Sequence, residues 1–153
     1  MRKVYIGVDP GKGGGIAVMV EGNAPELYNM SDTIGDMLEL FRQIASIDGE
    51  KVCYSEKVGG HRPGNSAVAT ATFARHCGNL EMGLLAAGIP TTLVAPQKWM
   101  KAMGSLSKEK GKRKNQIKDA MQRKYPGLKI TLKTSDALAI MDYGIGQVSS
   151  LPG

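Results

Sequence analysis

Three acids stand where the sequence could use them for chemistry. Asp9 ends the apolar run Val4-Tyr5-Ile6-Gly7-Val8-Asp9, and a glycine-rich turn, Pro10-Gly11-Lys12-Gly13-Gly14-Gly15, follows it. Glu56 closes a second run of strand character, Lys51-Val52-Cys53-Tyr54-Ser55-Glu56. Asp136 opens the apolar stretch that begins near Ser135. If residues 3–9 and 51–57 are neighbouring parallel strands, Asp9 and Glu56 leave the sheet at one end. That is the end where α/β sheets bind ligands. The first turn of a helix starting at Ser135 can bring Asp136 to the same place. Three converging carboxylates repel one another, and a hard divalent cation relieves that repulsion. Oxygen donors select Mg²⁺ or Mn²⁺. Two such ions about 3.5–4 Å apart can activate water and stabilise the leaving oxygen of a phosphodiester.

Each acid also has a plainer reading. Asp9 before Pro10-Gly11 is a common turn residue. Glu56 can sit at an exposed strand end, although burying it alone would be costly. Asp136 suits the positive end of a helix dipole without any ligand. Asp142 lies about 120° round a helix from Asp136 by the 3.6-residue turn and is left outside the site.

The elements that must position these acids follow from pattern. Residues 3–9 and 15–21 read as strands joined by a tight glycine turn, which favours an antiparallel hairpin. Residues 26–30 form a shorter third strand. An apolar stripe of Ile34, Met37, Leu38, Phe41, Ile44 and Ala45 marks a helix capped by Ser31 or Asp32 and ended by Asp48-Gly49. Residues 51–57 are the next strand, 65–87 a long helix rich in small residues, and 91–95 a further strand. Pro96 opens a short helix carrying Lys98, Trp99 and Lys101. Residues 104–114 lack an apolar period and are expected to order on binding. A helix over 114–124 ends at Pro126-Gly127, residues 128–132 alternate like a strand, and the last helix runs from about Ser135 to Gln147. The expected product is one α/β domain over 1–153, a mixed sheet with helices on both faces. The small residues of 65–87, Ala67, Ala69, Ala71, Ala74 and Gly78 among them, allow close packing within the chain or across a dimer two-fold.

The charge narrows the partner. Residues 98–133 hold twelve Lys and Arg against Glu109 and Asp119, whereas the rest of the chain holds eight basic and twelve acidic residues. One segment therefore carries the entire positive excess of a +6 chain. It is either a solvated helix face or a polyanion-binding surface. Lys98, Lys101, Lys112, Arg113 and Lys114 are the candidates for phosphate contact. Trp99 reads as a core anchor. Two cysteines and two histidines without a close-spaced pair argue against zinc, and Cys53 and Cys77 read as free thiols of a cytoplasmic protein. No apolar run approaches the roughly 20 residues of a membrane helix, and no signal peptide is expected before the first strand.

Taken together, the motifs resemble the RuvC family of Holliday junction resolvases, within the RNase H-like superfamily, and its short phage-type members in particular. The matching pieces are Ile6-Gly7-Val8-Asp9-Pro10-Gly11, Gly15-Ile16-Ala17, Glu56-Lys57-Val58, Pro96-Gln97-Lys98-Trp99 and Ser135-Asp136-Ala137-Leu138-Ala139-Ile140, spread over nearly the whole chain. The resemblance implies an RNase H-like five-stranded sheet and a metal-dependent endonuclease. Asp9, Glu56 and Asp136 would hold two Mg²⁺ or Mn²⁺ ions. It also implies a homodimer that nicks opposing strands of a four-way junction. Two departures stand out. Many members carry Asp or His three residues before the final Asp, where this chain has Lys133, which cannot ligate a metal while protonated and would serve the catalytic site by neutralising the acids or holding the scissile phosphate, or be a surface charge only. Some members place an aromatic wedge shortly after the Glu, where this chain has Val58-Gly59-Gly60-His61-Arg62. His61 or Arg62 would either stack or grip phosphate there, or be solvated side chains on a flexible glycine loop.

Other readings remain. An RNase H-like nuclease could act on another branched DNA or on an RNA–DNA hybrid. A non-catalytic, structure-specific DNA-binding protein would keep the basic segment without needing the three acids. The Asp9 turn also resembles the phosphate loop of the hexokinase–actin group, but that group binds nucleotide between two such domains.

Overall fold

The computed structural model describes residues 1–59 and 64–151, so the expected contacts of His61 and Arg62 lie outside the described residues. Five strands make one sheet: β1 (Lys3–Asp9), β2 (Gly15–Val20), β3 (Glu26–Asn29), β4 (Glu50–Glu56) and β5 (Thr91–Val94). Their order is β3-β2-β1-β4-β5. β1 pairs antiparallel with β2 and parallel with β4, β2 pairs antiparallel with β3, and β4 pairs parallel with β5. The helices are α1 (Ile34–Ser46), α2 (Ala67–Ala86), α3 (Pro96–Lys101), α4 (Lys110–Lys124) and α5 (Ser135–Ser149). This is the expected mixed sheet with helices on both faces.

The central position of β1 explains its imperfect alternation. Every residue from Val4 to Asp9 is buried, because a central strand is covered on both faces. Val4, Ile6 and Val8 pack with Met37, Phe41 and Ile44 of α1 and with Leu80 and Leu84 of α2. Tyr5 belongs to the opposite core, built with Trp99 of α3, Ile117 and Met121 of α4, and Leu138, Ile140 and Met141 of α5.

Gly7 sets how closely α5 lies on the sheet. A Cβ there would stand 2.1 Å from the Ala137 carbonyl oxygen and 2.5 Å from the Met141 nitrogen, both backbone atoms that cannot swing away. Gly144 plays the reciprocal part on the helix, where a Cβ would meet the Tyr54 ring at 2.5 Å. Helix backbone thus rests directly on strand backbone.

Several local expectations change. Thr33, not Ser31 or Asp32, caps α1, its side chain accepting from the Asp36 amide at 3.1 Å. Residues 128–132 form no strand. Gln122 Nε2 donates to the Leu128 carbonyl at 2.8 Å and to the Tyr125 carbonyl at 3.3 Å, and Ile130 is buried under the helices. A side chain, rather than a strand partner, satisfies this backbone. The segment 104–114 is also more structured than its composition implies, since α4 begins at Lys110. Gln116 Oε1 accepts from the Ser107 amide at 2.7 Å, and Ser107 Oγ accepts from the Glu109 amide at 3.1 Å. Cys53 is a buried thiol outside any disulfide, and burial pushes it up to about 12. Among the described residues, no helix is long and apolar enough to cross a membrane.

The Gly7 contact has a direct test. Gly7→Ala is expected to lower the unfolding free energy in urea by about 3 kcal/mol, or to prevent folding, because the clash is with backbone. A loss below about 0.5 kcal/mol would show that α5 does not rest on β1 in this way.

Candidate active site

Strand register brings the first two acids together. Val8 is opposite Ser55 in the parallel β1–β4 ladder, so Asp9 and Glu56 are the next residues at the same end. Side chains alternate along a strand. Asp9 shares the face of Gly7, against which α5 lies, and Glu56 shares the face of Tyr54, whose ring meets Gly144 of α5. Asp136 is in the first turn of α5, beside the Ala137 carbonyl that contacts Gly7. The three acids therefore occupy one face at one end of the sheet. Asp9 and Asp136 are only 8% and 7% exposed, and Glu56 is half-buried. Among the described residues, no three His, Cys, Asp or Glu side chains close into a ligand cluster. The acids share a site without completing a coordination sphere.

Two neighbours hold the acids, and neither role is readable from composition. The Trp99 indole nitrogen donates to Glu56 Oε2 at 2.9 Å. The Lys114 ammonium lies 3.3 Å from Asp136 Oδ2. Asp136 Oδ1 is buried and has no hydrogen-bond partner. A buried oxygen in that state costs about 1–3 kcal/mol, and natural proteins tolerate such groups mainly where something else binds them. The chemistry of the set fits a hard divalent cation: carboxylate oxygens only, with one buried oxygen lacking a donor. The glycine turn beside Asp9 is crowded by its own backbone, since a Cβ on Gly14 would lie 2.0 Å from the Asp9 carbonyl oxygen.

The basic candidates divide. Lys98 and Lys101 are exposed on α3, and Lys112 is exposed on α4. Arg113 is half-buried and works within the chain: its Nη1 donates to the carbonyls of Ser107 at 3.4 Å and Lys108 at 3.1 Å. Lys114 faces Asp136. Lys133 is exposed on the turn before α5. Asp142 is held away from the site by Lys124 at 2.7 Å and by the Tyr125 hydroxyl, which donates to it at 3.0 Å. Trp99 is the core anchor its pattern implied. The sequence does carry a hint of its second role, because a buried indole N–H needs an acceptor. Phe73 of α2 reaches the turn after Asp9, its ring 3.5 Å from where a Gly11 Cβ would stand, and pairs with the His76 ring. Neither was foreseen.

The cost of the unpaired Asp136 oxygen is measurable. Without added divalent ions, Asp136→Asn removes a buried charge with one oxygen lacking a donor and loses only a pair with a lysine that is 31% exposed, worth about 0–1 kcal/mol. It is therefore expected to raise the unfolding free energy in urea with EDTA by about 1 kcal/mol. A decrease would mean that the carboxylate is well satisfied as it stands.

No protein-family model matches the sequence, and no curated protein sequence matches it either. Solved structures do match in fold. A Thermus thermophilus RuvC structure superposes with a TM-score of 0.63 at 19% identity, covering 98% of this chain and 98% of that one. T. thermophilus RuvC in complex with Holliday junction substrate gives a TM-score of 0.65 at 18% identity, covering 97% of this chain and 96% of that one. The strand order, the helices on both faces and these end-to-end superpositions together give the chain the RNase H-like α/β fold of RuvC.

Proposed function

We propose that the protein is a divalent-metal-dependent endonuclease that resolves four-way DNA junctions by paired, symmetric nicks. The observation that carries this reading is the placement of Asp9, Glu56 and Asp136 on one face at one sheet end, with a buried Asp136 oxygen lacking a donor. The fold shared with a protein solved on Holliday junction substrate supports the choice of DNA. In this reading Asp9, Glu56 and Asp136 hold Mg²⁺ or Mn²⁺, two ions per site. Bound there, the ions would supply an activated water and stabilise charge on the leaving oxygen.

The chain's own residues prepare the site. β1 and β4 fix two carboxylates side by side, and α5 brings the third. Lys114 offsets the charge of Asp136. Lys98, Lys101 and Lys112, exposed on α3 and α4, hold flanking phosphates, which position DNA without reading its sequence. Lys133 adds a positive charge at the same helix end. Paired nicking needs two copies. α2 offers a surface for them, with Val68 76%, Met82 63% and Leu85 73% exposed, Leu85 bounding a groove of about 490 Å³ together with Leu80, Leu84 and Leu93.

The decisive assay offers a labelled four-way junction, a matched duplex and an RNA–DNA hybrid, with Mg²⁺ or EDTA. Symmetric Mg²⁺-dependent nicks in the junction alone are expected, and Asp9→Asn should abolish them. Cutting of the hybrid instead would keep the metal site and change the substrate. Uncoupled single nicks would remove the dimer, and binding without cutting under any metal would leave a non-catalytic junction-binding protein.

The division among basic residues is tested separately. Replacing Lys98, Lys101 and Lys112 together by Gln is expected to reduce the slope of log affinity against log salt by about 2–3, at roughly 0.9 per phosphate contact. An unchanged slope would show that these lysines do not meet the backbone.

A further inference from the structure

We infer that Trp99 is a positioning residue for the Glu56 carboxylate, so that its indole N–H, and not only its ring, serves cation binding. The inference rests on the metal-site reading above and assigns a role to a residue outside the three acids. Trp99 is 0% exposed and packs in the core that also holds Ile117, Met121 and Leu138. A ring enclosed in this way cannot swing. Its N–H is therefore a fixed dipole, aimed at Glu56 Oε2 from 2.9 Å across 43 residues of sequence. The chain brings this donor to the site with α3, which starts two residues after β5, the strand paired with β4 at Glu56.

The chemical type of the donor matters. A neutral N–H orients a carboxylate and satisfies one oxygen while leaving its negative charge in place for a cation. An ammonium at the same position would neutralise that charge and compete with the ion. Asp136 shows the contrast, since its partner is the ammonium of Lys114, a flexible side chain 31% exposed to solvent. One acid is held by a rigid neutral donor from the core and the other by a movable cation from the surface. Groups that orient metal ligands from behind typically change metal affinity 10–100-fold when removed. A purely structural Trp would also need an acceptor for its N–H. Removing that N–H would then affect folding but not ion affinity, so the two roles can be separated.

Trp99 is the only tryptophan, so the full-length protein labelled with ¹⁵N has a single indole N–H signal. Mn²⁺ affinity would be measured by calorimetry on the wild type, Trp99→Phe and Asp9→Asn. Mg²⁺ would be titrated against the indole signal of the wild type and of Asp9→Asn, and its binding to the wild type would also be recorded by calorimetry. Trp99→Phe keeps most of the apolar volume and deletes the donor. Its Mn²⁺ Kd is expected to rise about ten-fold, with an unchanged circular dichroism spectrum. The wild-type indole signal is expected to move saturably with Mg²⁺, and the movement should vanish in Asp9→Asn. A folded Trp99→Phe with a Kd within about two-fold of the wild type would overturn the inference and leave the proposed metal site standing. If Trp99→Phe does not fold, the wild-type signal decides: an indole that stays still while calorimetry records Mg²⁺ binding overturns the inference. A wild type that binds neither ion overturns the metal site and this inference together.

Discussion

The close approach of α5 to β1 is the constraint on which the rest of the site depends. Gly7 has no side chain, and only for that reason can the Ala137 carbonyl and the Met141 nitrogen sit against the central strand. The contact fixes the height and direction of α5 over the sheet. Its first turn, with Asp136, then lies over the strand end that carries Asp9 and Glu56. The same contact closes the second core, because Leu138, Ile140 and Met141 pack there only if the helix is pressed down. Fold stability and site geometry thus share one small-residue contact, and relaxing it by one methyl group would disturb both.

Bringing acids together opposes that packing. Asp9 and Asp136 are nearly buried, and a buried carboxylate oxygen without a donor, as Asp136 Oδ1 is, is among the costlier features a core can contain. The structure offsets the cost unevenly. Glu56 takes a hydrogen bond from Trp99, Asp136 takes an ion pair from Lys114, and Asp136 Oδ1 takes nothing. A fully satisfied set would make a more stable protein with less attraction for a cation. The residual dissatisfaction is where binding energy for an ion would come from, which is a common form of the tension between stability and function.

Much of this was legible in the sequence. The hairpin, the helix stripe, the long helix and the last helix follow from periods of two and 3.6 and from glycine placement. Asp9 and Glu56 could be paired because both end apolar runs, and parallel register then follows from topology. Other features depend on tertiary partners that no local pattern encodes. Residues 128–132 alternate like a strand, but both sheet edges lie elsewhere and Gln122 takes their carbonyl. Residues 104–114 look structureless by composition, yet Gln116, Ser107 and Arg113 tie the turn to α4 through side-chain hydrogen bonds. Local propensity is a weak prior where a few such bonds decide.

The basic segment shows most clearly what a charge count can and cannot say. Lys112, Arg113 and Lys114 are consecutive and look interchangeable. Successive helix residues point about 100° apart by the 3.6-residue turn, so they meet three environments. Lys112 faces solvent, Arg113 folds back on the Ser107 and Lys108 carbonyls, and Lys114 reaches the buried acid of α5. Net charge makes the potential over α3 and α4 positive as a whole. Helical phase then decides which cation stays exposed, which one holds the surface in shape, and which one pairs with the buried acid.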